Sequence, residues 1–143
     1  MKEEYFDIDK IPKKEIGFIY NVDKSPADNS LIFLMGSKGI NWKSDDCGNT
    51  FKPLNNGRKI HEFTFHPTEK NWALASILTK CEDFEDPKEC EIYKEVYYTT
   101  DLGTHWNFLA DHVVQFSWAI DDDKDPFISK ETVIIVKQKD MNM

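Results

Sequence analysis

The sequence predicts an all-β chain of about two and a half four-stranded antiparallel β-propeller blades, a fragment of a larger propeller. Three observations predict it. The octets SDDCGNTF (44–51) and TTDLGTHW (99–106) share one pattern, Ser/Thr-x-Asp-x-Gly-x-Thr/His-aromatic. Each octet stands in register with short β-prone segments that also recur along the chain. No stretch shows the apolar stripe of a helix, so little helix is expected.

The segments run in a fixed order. Aromatic triplets open each unit: Phe18-Ile19-Tyr20, Phe63-Thr64-Phe65 and Phe116-Ser117-Trp118. An apolar run follows each: Leu31–Met35, Trp72–Ala75 and Thr132–Val136. A third segment leads into each octet, Gly39–Lys43 and Val96–Tyr98, and a fourth leaves it, Phe51 to Leu54 and Trp106 to Leu109. Alternating aromatics and β-branched runs between Pro, Gly, Asn and Asp clusters are strand signals. Four strands in a period of roughly 50 residues fit a propeller blade. The expected layout is an N-terminal extension at 1–15, a blade at 16–58, a second blade at 59–112 and a partial third at 113–143. A part-blade leaves strand edges and apolar faces bare, so the chain is expected to belong to a longer propeller or to close by self-association.

Within each octet every residue type has a local task. Gly48 and Gly103 supply a positive φ for a tight turn. Asp46 and Asp101 accept backbone N–H groups across it, and Ser44 and Thr99 add a hydroxyl to the same loop. Phe51 and Trp106 anchor the turn on the core. Thr50 and His105 fill the remaining polar position. The octet reads as scaffold, with no catalytic residue.

Composition narrows the function. With 26 acidic against 18 basic residues, the net charge of −8 disfavours nucleic acid and an anionic membrane as partners. The chain is 40% hydrophobic and 13% aromatic, which suits a packed domain. No apolar run approaches a membrane span, and MKEEYFDIDK lacks the apolar core of a signal peptide. The cysteines Cys47, Cys81 and Cys90 and the histidines His61, His66, His105 and His112 lack the spacing of a zinc site. His66, before Pro67, reads as structural. The acidic stretches 82–91 and 121–125 lack the ligand spacing of a calcium loop. No metal and no cofactor are expected.

The octet is the Asp-box, a pattern shared by several propeller families. Sialidases carry it and hold a sugar carboxylate with three arginines, because bidentate guanidinium pairing is hard to replace. This chain has one arginine, Arg58. A closer match lies elsewhere. FTFHPTEKNWALAS (63–76), the insert Cys81–Cys90, VYYTTDLGTHW (96–106) and VVQFSWA (113–119) resemble, in order, the propeller domain of sortilin-type receptors, and GINWKSDDCGNTFKPL (39–54) is similar to a preceding blade.

That resemblance implies a ten-bladed propeller in the lumen of the Golgi and endosomes, within a type I membrane receptor. It also implies a Cys81–Cys90 disulfide, no catalysis, and capture of peptide or propeptide cargo for vacuolar transport. No ligand-contact motif is identified in this stretch. Two other readings follow from the same residues: part of an Asp-box glycosidase, or a free-standing interaction protein that self-associates.

Overall fold

The computed structural model describes residues 18–54, 59–80, 85–119 and 129–138. The chain divides into two compact units, residues 1–59 and 60–143. The expected N-terminal extension, Arg58, Cys81 and the acidic run 121–125 lie outside the described residues.

The first unit is a four-stranded antiparallel meander: β1 (Ile19–Lys24), β2 (Ile32–Gly36), β3 (Asn41–Ser44) and β4 (Lys52–Leu54), paired in chain order. Side chains alternate across such a sheet, so a strand covered on both faces must be apolar throughout. β2 is that strand, and all five of its residues are buried. Ile32 and Leu34 pack with Trp42 of β3, and Ile19, Ile40 and Phe51 close around them. The β2–β3 turn is tight because Gly36 has no side chain. A Cβ there would lie 2.6 Å from both the Ile40 carbonyl oxygen and the Trp42 ring, closer than any packed Cβ can come.

The second unit holds β5 (Glu62–Phe65), β6 (Ala73–Leu78), β7 (Lys94–Thr99) and β8 (Asn107–Ala110), again in chain order. A two-stranded antiparallel sheet follows, β9 (Val113–Trp118) with β10 (Val133–Lys137). β6 is buried up to its last residue. Phe63 and Phe65 meet edge to face at 4.9 Å, and Trp106 sets its ring against Phe63 at 6.3 Å. Lys94 bridges β7 to Glu62 of β5 at 2.5 Å. β9 packs beside β7.

The all-β expectation holds. The described residues contain three antiparallel sheets of four, four and two strands, and their only helical element is a 3-10 turn, Pro87–Glu89. No helix among them is long and apolar enough to cross a membrane.

One alignment needs correcting. Val22 pairs with Leu34, Phe63 with Ala75 and Phe116 with Ile135. The counterpart of Phe63-Thr64-Phe65 in the first unit is therefore Val22-Asp23-Lys24, not Phe18-Ile19-Tyr20. Residue type misled the comparison, since Phe18 precedes β1 and a register shift between Ile19 and Asn21 displaces Tyr20.

Candidate functional site: the octet loops

The two octets close with the same bonds. In the first, Ser44 Oγ donates to Asp46 Oδ1 at 2.8 Å and accepts the N–H of Gly48 at 2.9 Å. Asp46 Oδ1 also accepts Thr50 N–H at 2.9 Å, and Asp46 Oδ2 accepts the Thr50 hydroxyl at 2.5 Å. In the second, Thr99 Oγ1 donates to Asp101 Oδ1 at 2.8 Å and accepts Gly103 N–H at 2.9 Å. Asp101 Oδ1 accepts His105 N–H at 2.9 Å, and His105 Nδ1 donates to Asp101 Oδ2 at 2.6 Å. A ring nitrogen of His105 does the work of the Thr50 hydroxyl.

These donors favour the charged carboxylates. For Asp46 the Thr50 hydroxyl leads, followed by the Thr50 N–H and the Ser44 hydroxyl, and the pKa falls from 3.8 to about 2. For Asp101 the largest single influence is burial, which opposes ionisation. The backbone and ring of His105 and the Thr99 hydroxyl together outweigh it, and this pKa also falls to about 2. Both acids are held as anions by their own loops, a poor state for a general acid.

Gly48 (φ 89°) and Gly103 (φ 83°) adopt the left-handed backbone. The residues before them do too: Cys47 at φ 63° and Leu102 at φ 53°. Two consecutive positive φ values make the mirror-image turn that matches strand twist. The sequence reading missed this, because Asn, Asp or Gly usually fills that first place and Cys or Leu does not announce it. The strain carries a bond with it. Cys47 N–H donates to the Ser30 carbonyl at 3.1 Å, and Leu102 N–H to the Asn71 carbonyl at 2.9 Å. Each octet is thereby tied to the β1–β2 or β5–β6 loop of its own sheet. Leu102 is buried, whereas Cys47 is an exposed free thiol.

Those partner loops are a second repeat. Ser25-Pro-Ala-Asp-Asn-Ser-Leu31 and His66-Pro-Thr-Glu-Lys-Asn-Trp72 share a Pro, an acidic residue and an apolar end. Ser25 Oγ accepts the N–H groups of Ala27 and Asp28 at 3.2 and 3.3 Å. His66 Nδ1 accepts those of Thr68 and Glu69 at 3.0 and 2.9 Å. Since Nδ1 accepts, the His66 proton sits on Nε2, which donates to the Lys130 carbonyl at 2.6 Å. The ring is fully buried, edge-on to Trp72 and Trp118. The shared Pro was the available clue, hidden because Ser and His look unrelated.

Cys90 is disulfide-bonded. Among the described residues no group of three or more His, Cys, Asp or Glu side chains is placed to hold a metal ion.

The family described as Sortilin, neurotensin receptor 3, matches residues 3–143. The chain belongs to the sortilin family. It is similar to the vacuolar protein sorting/targeting protein 10 of Ajellomyces capsulatus (strain H143), 27% identical over 90 residues, covering 59% of this chain and 6% of that protein. The Blastomyces gilchristii (strain SLH14081) protein of the same description is 26% identical over 90 residues, with the same coverage. The chain thus spans a small share of the length of the curated sortilin-family relatives it matches.

Proposed function

We propose that this chain supplies blades to the ligand-binding propeller of a sorting receptor, which captures peptide or propeptide cargo in the lumen of the secretory pathway without catalysis. Membership of the sortilin family carries the reading. The octet chemistry supports it, since both Asp-box carboxylates are consumed by their own turns and serve as clamps. The outer strands β1, β4, β5 and β8, each paired on one edge only within its sheet, suit an extended peptide, which can add backbone hydrogen bonds and seat alternate side chains. We propose further that Cys90 pairs with Cys81, a bond that an oxidising lumen sustains and that restrains the insert.

Fluorescence anisotropy of labelled propeptide-derived peptides against the chain tests the reading, beside hydrolysis of a fluorogenic sialoside. Saturable peptide binding with no sugar release is expected. Sialoside turnover that vanishes in Asp101→Asn would instead make this a glycosidase.

A further inference from the structure

His112 stands between two carboxylates. Its Nδ1 lies 3.2 Å from Asp111 Oδ1, and its Nε2 lies 3.4 Å from Glu91 Oε1. A neutral imidazole carries one N–H, so it donates to one of them and turns a lone pair on the other. Only the protonated ring donates to both. Beyond Asp111 lies Lys137, 3.5 Å from the same Oδ1. The run Lys137, Asp111, His112, Glu91 alternates in sign while the ring is charged, and ends in an unanswered acid when it is not.

These groups come from three pieces of the second unit. Asp111 and His112 make the turn between β8 and β9, and Lys137 ends β10. Glu91 belongs to the segment that leads into β7, one residue past the disulfide-bonded Cys90. Tyr93 of that segment stacks on the His112 ring at 4.0 Å, a contact that a cationic ring strengthens. The turn is the fixed side. His112 holds a left-handed backbone at φ 54°, and its carbonyl accepts Gln138 N–H at 2.8 Å. The Glu91 side hangs from Thr79, whose hydroxyl donates to the Glu91 carbonyl and accepts Tyr93 N–H, both at 2.9 Å. Earlier in the segment the 3-10 turn closes on itself: Asp86 accepts Lys88 N–H on its side chain and Glu89 N–H on its carbonyl.

We propose that His112 is a proton-operated latch: charged, it docks segment 85–91 on the β8–β9 turn through Glu91, and neutral, it lets that segment go. Asp111, its neighbour in the chain and the nearer acid, keeps the remaining N–H, so Glu91 is the partner released. The Glu91 side chain is 61% exposed, and an ion pair so open to water is too weak to govern global unfolding. It is of the size that sets the local opening of a surface segment. Asp111 leads and Glu91 adds in raising the His112 pKa above 6.5. The latch is therefore shut below 6.5 and opens as pH rises through the raised value.

NMR of the full chain from about pH 5.5 to 8.5 follows the His112 ring and the amides of 85–92 together. The amides are expected to shift with the ring's own midpoint, and their heteronuclear NOE to drop above it. Glu91→Ala is expected to lower the ring midpoint by about 0.5 in pH and to leave the segment as mobile in acid as the parent is in base. The proposal is overturned if these amides show no step at the ring midpoint, or if their NOE is equal on both sides of it. It is also overturned if Glu91→Ala keeps the parent's order in acid. A midpoint that moves in Asp111→Asn but not in Glu91→Ala would leave Glu91 outside the pairing and overturn the latch as well.

Discussion

His105 Nδ1 lies 2.6 Å from Asp101 Oδ2, in the place where the first octet puts the Thr50 hydroxyl against Asp46. Two unrelated side chains meet one geometric demand, a donor aimed back at the carboxylate from four residues ahead. His105→Thr should therefore leave the melting temperature nearly unchanged. His105→Ala should cost about 0.5–1.5 kcal/mol, the usual net worth of one such bond. Equal losses in both variants would show that the ring, and not the donated bond, matters.

Acid should loosen both octets. Each aspartate titrates near 2 in the folded chain against an ordinary 3.8. A lowered carboxylate pKa gives stability that is present above the unfolded value and is lost as pH falls through the folded one. Unfolding midpoints should thus decline from about pH 4 to 2, less so in Asp101→Asn. A profile in the variant identical to the parent's would contradict this.

His112 runs the other way. Its ring sits 3.2 Å from Asp111 and 3.4 Å from Glu91, stacked on Tyr93 at 4.0 Å, with Lys137 also 3.5 Å from Asp111. The hydrogen bond that the ring donates to Asp111 leads in raising its pKa above 6.5, with Glu91 adding to it and burial opposing. Its contribution is complete below that value and fades as pH rises through the raised one. NMR titration of the ring should give a midpoint above 6.5, and His112→Gln should remove this fall in stability on the alkaline side.

The left-handed residues should respond oppositely to relief of strain. Cys47 is exposed, so Cys47→Asn should stabilise by up to about 1 kcal/mol by easing its backbone. Leu102 shares the left-handed backbone but is only 5% exposed, and Leu102→Gly should destabilise because lost burial exceeds the relief. Chemical denaturation of the two variants checks both signs.

His66→Ser should separate two roles. A serine there can accept the Thr68 and Glu69 N–H groups as Ser25 does in its own loop, but it cannot reach Lys130. Faster hydrogen exchange at 129–132 with slow exchange retained at 68–69 is the expected pattern.

Strands and turns were legible because they depend on local rules: β2 is apolar throughout, and the octet writes its own hydrogen bonds. The Val22–Phe63 correspondence was not, since it is set by pairing across β2 and β6 rather than by residue type. The left-handed Cys47 and Leu102 escaped notice because their strain is offset by bonds to loops distant in sequence. The bond between His66 and Lys130 joins residues whose proximity only the folded chain reveals.

The ties from Cys47 to Ser30 and from Leu102 to Asn71 weld the same end of both sheets, octet to neighbouring loop. At the welded end, a longer loop would tear a bond from its neighbour, so length there is held by mutual constraint. At the other end the first sheet ties its β2–β3 turn to the start of β1 through Ser37 N–H and the Phe18 carbonyl at 2.9 Å, and there the second sheet spaces β6 from β7 with the cysteine-bearing excursion that the first sheet replaces by a short turn. The octet end keeps the same loop lengths in both sheets, 25–31 with 44–51 and 66–72 with 99–106, while the opposite end has taken an insertion in the second sheet alone.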